Sequence, residues 1–552
     1  MNINPFISKL EKLFRGAVEI PEGIEIVRPS DRPDLSDFQS NIALALAKIA
    51  KANPRQLAEQ IMGKIDGNPD FSFKIDGPGF INITLSEKEI EAAATRTVNT
   101  PELGFTKTKN PLSIIVDYGG ANMGKTLHVG HLRPHILGEA TKRLARFVGH
   151  NATGDAHIGD WGRPMGLLIT AIREEGIDPD ALTIEDLNRL YPASSARYKE
   201  DAEFAARTNA AIMELQNEEP DAVKIHSKIV ETSSNDVKKV IAPLNITLET
   251  WWGEWWTIPN IKMLLAKWIA NGTVKESDGA WIIETDTEVP FRATNSHGLF
   301  LYEMTDVGTI YNRVERFKPD LILYHADIRQ RLSFDKVFEV VRKTGIAPAT
   351  LGLELLGHGM MQGKDGRPFK TRSGDNYALG DFIRDAIKIS AENAKSPEDA
   401  VAIAVAAIKF ADFINPRESD YIFDTEKFLK FEGKTGPYIL YTAVRIKSIL
   451  EKSPAPANAA IKLSNKYDRA LAIKLCDFAS TVQKAFDQRA TNLLATYIFE
   501  LASAFSAFYH ECHISSEENQ ELKNSWLALS AATLRAIEIF ANIIAIDIPK
   551  EM

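Results

Sequence analysis

Cysteine is nearly absent. The 552-residue chain holds only Cys476 and Cys512, and neither sits in a Cys-x-x-Cys pair. That excludes a disulfide-built scaffold and a zinc ribbon, and it fits a cytoplasmic location. Long apolar runs are lacking too. The stretch 400–408 stops at Lys409, far short of the ~20 residues that a bilayer span needs, so no membrane association is expected. The N-terminus reads Met-Asn-Ile-Asn-Pro-Phe, without the charged-then-apolar pattern of an export signal. There is no excess of positive charge either. With a formal net charge of -9, a nucleic-acid partner would have to meet a local basic surface. Low-complexity tracts and repeats of solenoid length are also missing.

What remains is an ordinary globular composition, 44% hydrophobic and 25% charged, in a chain long enough for about three or four domains. Residues 1–105 mix a helical pattern from Ile42 with alternating, strand-like segments around Phe73 and Phe80. A Thr- and Lys-rich linker follows over 99–110. Ile114-Ile115-Val116 then reads as a buried strand, with a glycine-containing loop and a long helix after it. Strand-like runs return at Ala280–Ile283 and Leu321–Tyr324. The alternation predicts a parallel α/β sheet over 111–378. Over 379–552 strand signals almost vanish and helical patterns succeed one another. The expected fold is therefore multidomain α/β: an α+β N-terminal domain, a Rossmann-type parallel-sheet domain and an all-α C-terminal domain.

The segment from Gly119 to His131, Gly-Gly-Ala-Asn-Met-Gly-Lys-Thr-Leu-His-Val-Gly-His, joins the first strand to its helix. A helix start carries unpaired N–H groups and partial positive charge, which suit a phosphate. Glycine lets a nucleotide approach the backbone. His128 and His131 can donate hydrogen bonds to phosphate oxygens, Gly130 opens the turn between them, and Lys125 adds a cation. Such a set stabilises developing charge by placed donors rather than by a nucleophile. Two histidines three apart can also merely cap a helix. Gly119 and Gly124-Lys125-Thr126 carry P-loop letters, but the His-Val-Gly-His that follows does not suit a Walker helix.

His128-Val129-Gly130-His131 resembles the HIGH motif of class I aminoacyl-tRNA synthetases, and the string from Asp117 through Arg133 resembles the arginine-specific branch. Gly363 to Gly374, with Lys370 and Arg372, is similar to the degenerate second signature of that branch. His157-Ile158-Gly159-Asp160-Trp161-Gly162, the Tyr302–Thr305–Asp306 segment, Asp420 to Asp424 and Gly77 to Asn82 resemble further strings of the same family. Pro134 and Ser333 depart from the usual pattern.

The resemblance implies arginine–tRNA ligation with ATP and Mg²⁺, tRNA(Arg) and L-arginine as partners, and a monomer. It implies His128, His131, Lys125, Lys370 and Arg372 as catalytic residues, with all but Arg372, together with Gly130, on ATP. It implies Asp117, Tyr302 and Asp306 around the guanidinium, and Asn122 and Gln330 at the α-amino end. A planar, permanently charged guanidinium calls for such carboxylates. The domains become an additional tRNA-binding domain (1–105), a class I catalytic domain with a connective insertion (111–378) and an anticodon-binding domain (379–552). For tRNA, Phe38, Gln39 and Asn82 are implied at the elbow. Tyr438, Tyr441, Arg445 and Tyr497 are candidates at the anticodon, where unpaired bases are stacked and read at their edges. The Trp251, Trp252, Trp255, Trp256 cluster reads as packing of a connector. A class I enzyme for another amino acid, or a tRNA-binding paralogue without catalysis, are the competing readings.

Overall fold

The computed structural model describes residues 4–32, 34–287, 289–367 and 377–552. It divides into two compact units. The first gathers Met1–Lys107, Tyr441–Gln488 and Leu493–Phe540; the second gathers Thr108–Leu440, Arg489–Asn492 and Ala541–Met552.

In the first unit a four-stranded antiparallel sheet runs in the order Arg28–Pro29, Phe38–Ser40, Phe80–Leu85, Phe71–Asp76. One face is apolar: Phe38, Ile81, Ile83 and Leu85 are buried. Helices Pro5–Ala17, Ile42–Ala50 and Pro54–Ile65 each send an apolar stripe into the same core. The first and last of these have an Asn side chain capping the helix start and proline in the first turn. This domain packs on C-terminal helices of the same unit. Arg469 holds Asp37 with two hydrogen bonds of 2.7 Å, and Asn4 donates to Asp477. One helix here, Gln520–Ile543, is long and apolar enough to cross a membrane, but 72% of that window is buried inside the protein, as befits a core helix.

The second unit is built on five parallel strands: β1 (Ser113–Asp117), β2 (Asn151–Ile158), β3 (Thr250–Gly253), β4 (Leu321–Tyr324) and β5 (Gly352–Leu355). Their order is β5-β4-β1-β2-β3, all parallel. The chain leaves β1 in one direction and later returns to its other side as β4. That reversal opens a crevice beyond the carboxyl ends of β1 and β4, where ligands bind in doubly wound sheets. Four helices matter below: α1 (Leu132–Val148), α2 (Ile184–Glu200), α3 (Tyr302–Phe317) and α4 (Pro397–Phe413).

Two sequence expectations need correction. Ala280–Ile283 is not in the parallel sheet; it pairs antiparallel with Lys275–Ser277 and Phe291–Arg292. Asp278 and Gly279, both at positive φ, form the tight turn that Asp-Gly favours between antiparallel strands. The outer parallel strand is instead the Trp-rich β3, which was read as a connector. Helix Leu379–Ser390 and α4 also fall in the second unit, although strand loss at residue 379 suggested a boundary there. Buried ionic links explain their place. Arg133 of α1 pairs with Asp412 of α4 at 2.8 Å, both fully buried. Lys409, also buried, donates to the carbonyls of Leu244, Ile544 and Ala545 at 2.6, 2.9 and 2.8 Å.

Three acceptors match the three protons of the Lys409 ammonium. Lys409→Met therefore leaves three buried carbonyls without a donor, and about 3 kcal/mol or more of stability should be lost. The urea midpoint of this unit checks it; an unchanged midpoint would contradict the role.

Candidate active site

A cavity of about 900 Å³ occupies the crevice. Asp117, Asn122, His128, Gly130, His131, Tyr302, Asp306 and Gln330 all line it, so residues spread over more than two hundred positions converge on one space. His157, Glu254, Thr309, Tyr324 and His358 line it too.

At one end stands the histidine turn. A short 3-10 helix, Val129–His131, precedes α1. The Gly130 N–H donates to His128 Nδ1 and the His128 N–H to His131 Nδ1, each at 3.1 Å. His128 thus caps the turn through Nδ1, which puts its proton on Nε2, whereas His131 Nδ1 lies within reach of both the N–H and, at 3.2 Å, the carbonyl of His128. Capping and ligand binding are compatible, because they use opposite edges of the ring. A Cβ at position 130 would fall 2.8 Å from the His128 ring, which explains the glycine. Burial, then Lys125, lowers the His128 pKa. Burial, then the neighbouring His128 and His135, lowers that of His131 to about 3. Both imidazoles are therefore neutral donors at pH 7. The segment is not a P-loop: helical structure begins at Val129, not directly after Gly124-Lys125-Thr126.

At the other end the cavity is acidic. Asp117 closes β1 and is paired by Arg313 of α3 at 2.7 Å; Arg313 also holds Asp155 of β2. Burial pushes Asp117 above the usual carboxylate range while Arg313 pulls it down. Asp306, on α3, lies 3.5 Å from His157 Nε2. Burial lowers the His157 pKa, but the Asp306, Glu254 and Asp117 carboxyls outweigh it and raise it to about 9. Glu254 follows β3; burial first, and the carboxylates of Asp306 and Asp160 after it, lift its pKa to about 8 against the pull of His157. Near pH 7 Glu254 is thus protonated, beside a protonated His157.

Family models match nearly the whole chain: "tRNA synthetases class I (R), catalytic domain" over 96–425, "DALR anticodon binding domain" over 439–552 and "Arginyl tRNA synthetase N terminal domain" over 4–85. A protein of Alkaliphilus oremlandii named arginine–tRNA ligase is 39% identical over 561 residues, with 96% of each chain covered. The chain belongs to the class I arginyl-tRNA synthetase family. A ligase of the same name from Agathobacter rectalis is 37% identical, with 95% of each chain covered. The crystal structure of arginyl-tRNA synthetase from Plasmodium falciparum shares the fold of this synthetase over all of both chains, with TM-score 0.82 at 24% identity.

Not every expected residue of this synthetase lies where its expected role requires. Lys125 is absent from the cavity lining; its ammonium sits 4.0 Å above the ring of Tyr191. Lys370 and Arg372 lie outside the described residues. Phe38 and Tyr497 cannot stack on a base. Phe38 is 2% exposed and packs on Phe6. Tyr497 is 3% exposed and donates its hydroxyl proton to the Lys474 carbonyl. Gln39, on the opposite face of the same strand, donates to Asn82 at 3.0 Å and remains half-exposed. Tyr438 is half-buried. Tyr441 is exposed and accepts from Arg445 at 2.6 Å. The Arg445 guanidinium lies over the rings of Tyr441 and Tyr509, at 4.5 and 5.6 Å from their centres. Sequence reading missed Glu254 as a site residue. Its one legible signal was position: a carboxylate just past a parallel strand's end, hidden because β3 itself was not recognised.

Proposed function

We propose a division of labour for the arginine–tRNA ligase reaction that this chain carries out. The enzyme activates L-arginine with ATP and loads it onto tRNA. The α-carboxylate attacks the α-phosphate of ATP in line, the bond to the β-phosphate breaks, and pyrophosphate leaves. The terminal ribose hydroxyl of tRNA, the 2′ in our reading, then attacks the activated carbonyl and displaces AMP.

His128 and His131 face the phosphates and stabilise the charge that builds on them. Lys125, Lys370 and Arg372 are the cations for the departing pyrophosphate. Mg²⁺ would accompany ATP and, when bound, offset part of the phosphate charge. Asp306 and Glu254 clasp the guanidinium, with Tyr302 beside them. Asn122 and Gln330 take the α-amino end. Asp117, already paired with Arg313, shapes the pocket floor and adds negative field. Gln39 and Asn82 on the N-terminal sheet, and Tyr441, Arg445 and Tyr438 on one helix, contact tRNA. We assign the N-terminal domain (1–105) to elbow binding, the sheet-built second unit to chemistry and the helices beyond it to anticodon reading, and a cytoplasmic monomer as the working form. The observation that carries this reading is the single cavity with neutral imidazoles at one end and carboxyls at the other. ATP–pyrophosphate exchange with each of the twenty amino acids, in the presence of total tRNA, tests it: arginine alone should support exchange, and equal turnover of another amino acid would overturn it.

A pH dependence follows. Glu254 is protonated below about 8, whereas an arriving guanidinium favours its carboxylate. Binding must then release a proton, and discharging His157, whose pKa is about 9, acts in the same direction. Arginine affinity should rise as pH goes from 6 to 8, by up to about tenfold per unit for each proton released. Calorimetry in buffers of different ionisation enthalpy should detect the proton; none released would contradict the assignment of Glu254.

A further inference from the structure

Lys125 lies on the loop between β1 and the histidine turn, yet its ammonium does not float in solvent. It sits 4.0 Å above the centre of the Tyr191 ring, on α2. The next residue is tied to the same helix: the Thr126 N–H donates to Asn188 Oδ1 at 3.2 Å, and Asn188 Nδ2 donates to the Thr126 hydroxyl at 2.7 Å. The residue before is tied as well, since the Gly124 N–H donates to the buried Ser233 hydroxyl at 2.8 Å. Tyr191 and Asn188 are three apart on a helix, which sets both on one face. Three consecutive loop residues are thus held by helices inserted between β2 and β3. The Lys125 charge still reaches the turn, because it contributes to the lowered pKa of both His128 and His131.

We propose that Tyr191 is a positioning residue for adenylate formation: its ring seats the Lys125 ammonium beside the histidine turn, and Asn188 pins the loop that carries it. An aromatic face stabilises a cation without neutralising it. A carboxylate at the same place would hold the lysine more tightly and oppose its transfer to pyrophosphate. The seat therefore keeps a full positive charge at short range and releases it when the triphosphate arrives. The proposal rests on the phosphate role given to Lys125 above.

The test is ATP–pyrophosphate exchange with arginine and tRNA present. Tyr191→Leu should lower kcat about tenfold with the KM for arginine unchanged within about twofold. Tyr191→Phe keeps the ring and should stay within about twofold of the parent. In a Lys125→Gln background Tyr191→Leu should cost nothing further, because the seat then holds no cation. The proposal is overturned if Tyr191→Leu is as active as the parent, if Tyr191→Phe loses as much as Tyr191→Leu, or if the double variant is slower than Lys125→Gln alone. Should Tyr191→Leu fold poorly, Asn188→Ala replaces it with an expected loss of about threefold in kcat, and full activity there overturns the proposal. Failure of the underlying reading shows elsewhere: Lys125→Gln alone would then exchange at the parental rate.

Discussion

Asp306→Ala should raise the KM for arginine by about 100-fold and leave the KM for ATP nearly unchanged. The Asp306 carboxylate is the partner of His157 at 3.5 Å and the natural acceptor for a forked guanidinium. Truncating one side of a desolvated charged pair costs about 2–5 kcal/mol, and about 2.7 kcal/mol is a hundredfold. The loss should fall on arginine because the carboxyl group lies at the acidic end, while ATP is assigned to the histidine turn. Asp306→Asn separates charge from shape: it keeps the size and one acceptor, so a similar loss would locate the effect in the charge. Steady-state exchange kinetics with each substrate varied in turn decide the matter. Equal changes for arginine and ATP would remove Asp306 from the guanidinium.

His128→Ala should slow adenylate formation by about 10²- to 10³-fold, the range found when one placed donor to a developing oxyanion is removed. Arginine KM should change little. The same substitution deletes the Nδ1 that accepts from Gly130 at 3.1 Å, a cap worth about 1 kcal/mol, so a small stability loss should accompany the large kinetic one. His128→Asn offers a shorter side chain that can still cap. If it restores stability but not rate, the Nε2 edge is the catalytic one. Unaltered exchange in His128→Ala would leave the turn a purely structural cap.

The phosphate end was legible in the sequence because its parts are neighbours along the chain. An apolar strand, a glycine-containing loop, two histidines and an amphipathic helix occupy Ser113 to Val148, and local chemistry decides their arrangement. The acidic end was harder. Asp306 and Asp117 came from family strings, but Glu254 sits in a tryptophan-rich stretch where aromatic crowding masked a short edge strand. In the structure those tryptophans have work of their own: the Arg316 guanidinium lies 4.4 Å from the centre of the Trp252 ring and 5.2 Å from that of Trp256. Phe38 and Tyr497 were misplaced for a related reason. Composition identifies an aromatic residue on a strand or helix, but which face turns inward depends on partners far away in sequence. For Phe38 one such partner is Phe6; for Tyr497 it is the Lys474 carbonyl. The pairing of Asp117 with Arg313 was invisible for the same reason, since nearly two hundred residues separate them.

The carbonyl grip of Lys409 on residues 544 and 545 bears on how the molecule is made. A ribosome exposes the sheet, the histidine turn and the acidic residues long before it reaches Ile544. Until then Lys409 has only one of its three carbonyl acceptors, that of Leu244. Nascent chains should consequently hold an unfinished nucleotide crevice, resistant to digestion only once translation has passed those late residues. An enzyme that supplies translation would in that way be withheld from service until residues 544 and 545 have themselves been made.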